Sequence, residues 1–468
     1  MKILNYQLYY FFGIGGIGMS ALARYFNHYG KTVYGYDKTE SNLTKELKSE
    51  GIQIHFEEDL DLLKKIISTY DKENILFIYT PAIPHHHQEL LFIKQEEFNL
   101  QKRAWVLGEI TKQFKTIAIA GTHGKTTTTT LVAHLLKTAG INCFAFLGGI
   151  SQNYETNLLL GDANDTNAYV VVEADEYDRS FLTLNPYIAV ITSVDPDHLD
   201  IYGDKNAMYE SYEKFASQVQ ANGILIVKKA VDNDLNIKVK RFIYSLNLDT
   251  DFSANSIKIV DGEFCYNINS IIESVSDLAI GLPGLHNVEN SIAAVAVAQQ
   301  LGVKGDAINK ALRSFKGVKR RFDYRLKSKT LVYIDDYAHH PEELNAVITA
   351  TKQLYPNKII TGIFQPHLFS RTKDFSDEFA KSLDLLNVCV LLEIYPAREQ
   401  PIEGINSQML LDKMICKNKF LVEKENVIEF LKSRKNEVIL TLGAGDIDTL
   451  IEPIESYLRS SIETVTIK

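Results

Sequence analysis

The residues with the plainest chemical meaning in this chain are Gly121-Thr122-His123-Gly124-Lys125-Thr126. They follow the apolar run Ile117–Ala120 and open a row of threonines ending at Thr130. Glycines placed after a buried strand and at a helix start leave backbone N–H groups facing outward, and the helix dipole adds positive potential, so the segment suits phosphate. Its glycines stand closer together than in the full Walker pattern, but the physics is unchanged. Lys125 is placed to neutralise β/γ phosphates, Thr126 offers a hydroxyl to Mg²⁺, and Thr127 continues the first turn. Glu173 closes the β-branched run "AYVVVE", a position where a carboxylate beside a phosphate loop serves as a metal ligand. A helix-capping or surface acid is the plainer alternative. "DPDHLD" gathers Asp195, Asp197, His198 and Asp200. Taken alone it is a solvated turn; beside a nucleotide site, His198 becomes a second metal candidate.

A second cradle lies near the N-terminus. Gly13-x-Gly15-x-x-Gly18, with Gly16 and Ile17 inside the turn, follows a strand over Gln7–Phe12 and precedes Asp37 by about twenty residues, matching the dinucleotide fingerprint. Any diphosphate on a helix N-terminus uses the same geometry, and nothing downstream resembles a hydride-transfer site. A UDP-type diphosphate fits as well as a nicotinamide cofactor.

The elements that must position these groups are legible. Strand-like apolar runs alternate with helical patterns through nearly all 468 residues, the signature of α/β units around a largely parallel sheet. The chemically rich residues fall at the carboxyl ends of the strands, where ligands of such sheets bind. We expect three domains: 1–113, Rossmann-like; 114–317, α/β with the phosphate loop; and 318–468, Rossmann-like again. The net charge of −9 argues against a nucleic-acid partner. Four scattered cysteines suggest neither a disulfide framework nor a zinc site and fit a reducing cytoplasm. No apolar run approaches the roughly 18 residues that span a bilayer. "LYYFFGIGGIGMSALA" faintly imitates a signal peptide, but its ordered glycines suit a turn better. His85, His86 and His87 read as an exposed loop, and "LGAGD" near Gly443 as a tight strand–helix turn with Asp446 near the helix start.

In order along the chain stand "GIGGIGMSALA", "TPAIP", "GTHGKTTTT", "EADEYDRSFL", "DHLDIYGD", "LPGLHNVENSIAA", "GVKRRFD", "DDYAHHPEE" and "FQPHLFSRT". In this series the chain resembles the Mur ligases. The resemblance implies a first domain for a UDP-sugar, a central domain for ATP and a third that closes over both. It implies ATP-dependent, Mg²⁺-assisted ligation of L-alanine to the lactyl carboxylate of UDP-N-acetylmuramate through an acyl phosphate. A relative that joins a whole peptide to the same sugar nucleotide is the nearest alternative; a nucleotide-switched ATPase or a nicotinamide oxidoreductase are rivals of other classes. Carried over by motif, Thr126 and Glu173 correspond to ligands of one Mg²⁺ and His198 to a ligand of a second. His286, Asn287 and Asn290 match a nucleotide-binding helix start, with Asn290 assigned to adenine. Arg321, next to Arg320, matches an arginine reaching the ATP phosphates, and Asp336 an acid that meets the ribose. His339, His340, His367 and Arg371 lie on the amino-acid side, with Arg371 for the alanine carboxylate. Some members carry a basic residue where this chain has Leu368, which shifts that binding onto Arg371 or Arg398. Lys214 lies near the position of a carbamylated lysine in other branches, without a secure alignment.

Overall fold

A computed structural model describes residues 2–84, 86–196, 199–397 and 399–466. Three sheets form. The first comprises β1 (Leu8–Phe12), β2 (Thr32–Tyr36), β3 (Gln53–His55), β4 (Ile75–Tyr79) and β5 (Leu100–Lys102), in the order β3-β2-β1-β4-β5 and parallel throughout. Both faces of its middle strand are covered, so "LYYFF" is buried at every position and reads as a continuous apolar run rather than an alternating one.

The second sheet has β6 (Lys115–Ala120), β7 (Cys143–Ser151), β8 (Thr156–Leu159), β9 (Tyr169–Glu173), β10 (Ile188–Ile191), β11 (Ile224–Lys228) and β12 (Arg241–Ser245) in the order β12-β11-β10-β6-β9-β7-β8. β8 is antiparallel. The strands β13 (Phe252–Val260), β14 (Glu263–Ser270) and β15 (Val275–Ile280) complete its ten. The third sheet runs β16-β17-β21-β18-β19-β20, from β16 (Asp323–Lys327), β17 (Val332–Asp336), β18 (Ile360–Phe364), β19 (Val388–Leu391), β20 (Lys419–Leu421) and β21 (Val438–Leu442). Only its edge strand β16 is antiparallel to its neighbour among these pairings.

Six helices matter for the chemistry: α1 (Ile17–His28), α2 (Arg103–Thr111), α3 (Lys125–Thr138), α4 (Leu285–Gln300), α5 (Pro341–Leu354) and α6 (Phe369–Asp374). The chain forms two compact units. One holds Met1–Asn255, Asn267–Leu278 and Glu289–Phe315; the other holds Ser256–Tyr266, Ala279–Val288 and Lys316–Lys468. The first sheet and strands β6–β12 of the second share a unit because one hydrophobic core runs through both. Tyr25 of α1 packs its ring 5.6 Å from that of Phe146 on β7. Beside it Arg24, 8% exposed, donates to Asn157 Oδ1 (2.6 Å) on β8 and pairs with Glu46 and Glu50. Asn157 in turn donates to the carbonyl of Ile17 and to Ser20 Oγ. A buried guanidinium is tolerated there because every face of it meets a carboxylate or an amide oxygen. In the second unit, apolar clusters cover both faces of the third sheet. All four cysteines carry free thiols. No helix among the described residues is long and apolar enough to cross a membrane.

Candidate active site

In the first unit the phosphate loop connects β6 to α3. Gly124 is the residue before the helix and sits at φ +81°, a conformation that glycine adopts without penalty. A Cβ there would also lie 2.6 Å from Asn290 Oδ1, so the amide assigned to adenine lies against the loop itself. Thr122 Oγ1 bonds Ser193 Oγ (2.9 Å), and Ser193 Oγ accepts from the His123 N–H (2.7 Å). The loop is thus braced by the strand end after β10. Lys125 folds back: its Nζ donates to the Gly121 carbonyl (2.5 Å) and pairs with Glu176 at 2.8 Å. Burial alone would lower the lysine pKa, but Glu176 and Glu173 offset that and hold it above the ordinary value. Thr126 and Thr127 are buried in the first turn of α3. The threonine row is accommodated because its next members pack inside, and Thr130 Oγ1 donates to the Thr126 carbonyl.

Glu173 ends β9, and its carboxylate lies over Gly148 of β7, occupying the space a Cβ would need. His123 Nε2 stands 3.9 Å from the carboxylate of Asp195. His198 and Asp197 lie outside the described residues, as do His85 and Arg398.

The first glycine loop joins β1 to α1. Gly16 precedes the helix and Ile17 and Gly18 form its first turn. Asp37, at the tip of β2, accepts the Gly15 N–H through Oδ2 (2.8 Å) and the Thr39 N–H through Oδ1. Its carboxylate therefore shapes the loop. A Cβ on Gly15 would meet that oxygen and Thr44 Cγ2, each at 2.8 Å.

The second unit holds the other motif residues. His286 lies in the first turn of α4, packed over Gly284, where a Cβ would come within 2.5 Å of its ring; burial pushes its imidazole down to about 4. Asn287 is buried, and its side chain donates to the Pro283 carbonyl (2.6 Å). Asp336, at the tip of β17, accepts from the Phe322 N–H (2.6 Å) and the Ala338 N–H (2.8 Å). Burial pushes its carboxyl up to about 6. A carboxylate has further lone pairs for a hydroxyl, but its first task here is to tie the β17 tip to the segment before β16. Arg320 pairs with buried Asp335 and donates to the Gly443 carbonyl, whereas Arg321 lies over the Tyr337 ring, 3.7 Å from Glu343.

Glu343 also organises the histidines. It accepts from the backbone N–H groups of His339 and His340 and stands 3.3 Å from His339 Nδ1. His340 precedes Pro341 as the N-cap residue of α5, its ring against Phe375. His339 and His367 meet edge to face at 5.9 Å. His367 stacks on Tyr395, and Arg371 Nη1 reaches to 3.5 Å from its Nδ1. Leu368 is held at φ +71° before α6, a strained conformation of the kind that collects at ligand clamps. Asp446 begins the turn after β21 and binds Gln365 and Lys424, so the "LGAGD" stretch makes a strand–helix turn.

Motif reading missed Glu176, Ser193 and Arg103. Glu176 stood in "EADEYDRSFL", three residues past the acid that drew attention. Ser193 and Arg103 carry no local signal, because their role exists only across elements.

Three family profiles match the chain in order: "Mur ligase family, catalytic domain" over residues 8–115, "Mur ligase middle domain" over 119–298 and "Mur ligase, glutamate ligase domain" over 320–445. The chain is 48% identical to a UDP-N-acetylmuramate–L-alanine ligase of Parabacteroides distasonis over 99% of each chain. It is 50% identical to the enzyme of that name from Flavobacterium psychrophilum, over 96% of this chain and 97% of that one. Its structure superposes on the UDP-N-acetylmuramate-alanine ligase of Thermotoga maritima with a TM-score of 0.82 at 28% identity, covering 97% and 99% of the two chains. With all three segments matched in sequence and a fold to suit, the chain belongs to the Mur ligase family.

Proposed function

We propose that this chain joins L-alanine to the lactyl carboxylate of UDP-N-acetylmuramate, converting ATP to ADP and phosphate, in the cytoplasm. Near-full-length identity of about half to relatives named for that reaction supports this reading. Its physical counterpart is a glycine–lysine–threonine loop poised on a helix start. A carboxylate is a poor acylating group, so the acid attacks the γ-phosphorus, ADP leaves, and an acyl phosphate forms. The alanine amine then attacks the activated carbonyl, and phosphate departs. Two anions meet in the first step, so positive charge and fixed dipoles have to lie where they meet.

The residues fit an ATP triphosphate. The loop offers a glycine bend, outward N–H groups and a lysine already held by carbonyls and a carboxylate that a phosphate can replace. Lys125 binds and orients the γ-phosphate. Asn290 lies at the loop, where the nucleotide would pass. The oxygen donors Thr126 and Glu173 suit a hard cation; one Mg²⁺ held by them, and a second held by His198, would supply charge neutralisation of the phosphates. In the second unit, Arg371 with His367 is the proposed seat of the alanine carboxylate, and His339 and His340 flank it. Arg321 is assigned to the nucleotide phosphates and Asp336 to the ribose. The first glycine loop, Gly13–Gly18, holds the UDP diphosphate, with Asp37 near the uridine end.

The test is phosphate release from ATP with UDP-N-acetylmuramate present and each amino acid omitted in turn. Alanine-dependent release is expected. Release that requires a tripeptide instead of free alanine overturns the substrate assignment, and release without either substrate makes the chain a simple ATPase.

A further inference from the structure

The first glycine loop contains no cation of its own. The structure brings one to it from α2. The guanidinium of Arg103 lies over the first turn of α1: a Cβ on Gly18 would be 2.6 Å from Nη1, 3.1 Å from Cδ and 3.3 Å from Cζ. The other side of the same guanidinium is fixed, with Nη2 donating to Asp175 Oδ2 at 3.0 Å. Asp175 stands two residues past Glu173, and Arg103, Glu173 and Asp175 line one narrow cavity. Helix α2 is seated firmly on the segment that carries these acids. Thr183 Oγ1 donates to the Ala104 carbonyl, and Gly108 leaves room for the Thr183 backbone at 3.0 Å. Arg103 is therefore aimed at the start of α1 from a rigid platform, with only part of its surface exposed.

We propose that Arg103 binds the diphosphate of the sugar nucleotide at the start of α1, and that Asp175 is the positioning residue that orients it. This rests on the assignment of UDP-N-acetylmuramate to the first glycine loop. Backbone N–H groups and a helix dipole contribute partial charge; a planar guanidinium adds a full charge and two parallel donors. Gly18, third of the loop glycines, is then required because the arginine passes where a side chain would stand.

The neighbouring residue provides the control. Lys102 sits at the same helix start and makes the parallel ion pair, 2.7 Å to Asp178, but its side chain is half exposed and directed at that acid. A pair that merely docks α2 onto the acidic segment would make the two substitutions equivalent. The experiment is calorimetric titration of the full chain with UDP and with UDP-N-acetylmuramate, alongside KM and kcat for phosphate release. Arg103→Ala is expected to weaken both ligands by about 10- to 100-fold, the scale of a charge-assisted hydrogen bond, and to raise the KM for the sugar nucleotide while ATP affinity holds. Arg103→Lys should recover part of the loss, Asp175→Asn should show a smaller loss, and Lys102→Ala should stay within about twofold. Gly18→Ala should reproduce much of the loss, with Arg103→Ala adding little on that background. Equal behaviour of the Arg103 and Lys102 variants overturns the proposal, as does a loss for UDP-N-acetylmuramate without one for UDP, which would put the guanidinium on the sugar acid. A wild-type chain that does not bind UDP-N-acetylmuramate would instead sink the functional reading beneath it.

Discussion

The two glycine cradles of the first unit are built on one plan and completed in opposite ways. The loop at Gly121–Thr126 carries its own cation, which turns inward to the loop carbonyls and Glu176. The loop at Gly13–Gly18 carries none. Its shape is held by Asp37, and the positive group nearest its helix start arrives from α2. The difference follows from the ligands proposed for them. A group that must be transferred needs a charge that travels with the loop backbone, so that phosphate and lysine stay in register. A diphosphate that is only held needs a seat, and its charge can be supplied by any rigid neighbour.

That contrast can be broken in stages. Lys125→Ala should reduce phosphate release by about 10³-fold or more, the scale of removing a cation from a transferring phosphoryl group. UDP-N-acetylmuramate binding, measured by calorimetry, should change by less than about twofold. Loss of both together would mean that the cradles are one site. Glu176→Gln tests the parked lysine. It leaves a buried charge without its carboxylate, so the ligand-free melting point should drop, by about 3 kcal/mol in stability, and ATP should raise the melting point more than in the wild type. An unchanged ATP shift would mean that the pair does not compete with phosphate.

The second unit carries two buried titrations that can be followed by stability alone, without ligand. Asp336 has a raised pKa in the fold, near 6, so its contribution to stability is complete below about pH 4 and is lost as pH rises through 6. His286 is depressed to about 4, so its contribution is present above about pH 6.5 and is lost as pH falls through 4. Over the shared window the two oppose each other. Asp336→Asn should expose the histidine slope, with stability falling by about 3 kcal/mol between pH 6.5 and 4 in chemical denaturation, while the wild type stays flatter. Parallel curves for the two proteins would refute the compensation.

The smallest expected effect separates two adjacent glycines. Gly15→Ala drives a Cβ into Asp37 and Thr44 and should weaken UDP-N-acetylmuramate about tenfold. Gly16→Ala, whose Cβ would find nothing nearer than 3.5 Å, should change it by less than about threefold. Equal effects would mean that Asp37 does not shape the cradle.

Much of this was visible before any coordinates. The runs that became β1, β6, β9, β10, β17 and β18 are largely buried on both faces and so left mostly apolar strings without alternation. Glycines marked where β1 and β6 hand over to helices, whereas β9, β10, β17 and β18 are followed by acids, histidines and prolines instead. The alternation of strand and helix carried the α/β class, and the ordered motifs carried the family. Where the chain compacts was not visible: contacts gather the first sheet and strands β6–β12 of the second into one unit, through pairs such as Tyr25 with Phe146 and Arg24 with Asn157 that are far apart in sequence and signal nothing locally. The helix Lys205–Ser217 ends where no glycine or proline announces it.

What the sequence by itself determined is whatever depends on short range: period, turn chemistry, the supply of donors and charges at strand ends. Only the tertiary structure decided which of those charges meet. Lys125 could have faced any of several acids, and the fold chose Glu176; Asp37 could have faced solvent, and the fold bent it onto Gly15. The physical reason is that a hydrogen bond or ion pair depends on separations of about 3 Å, and such separations between residues many positions apart are set by how sheets and helices pack, not by the order in which their residues are written.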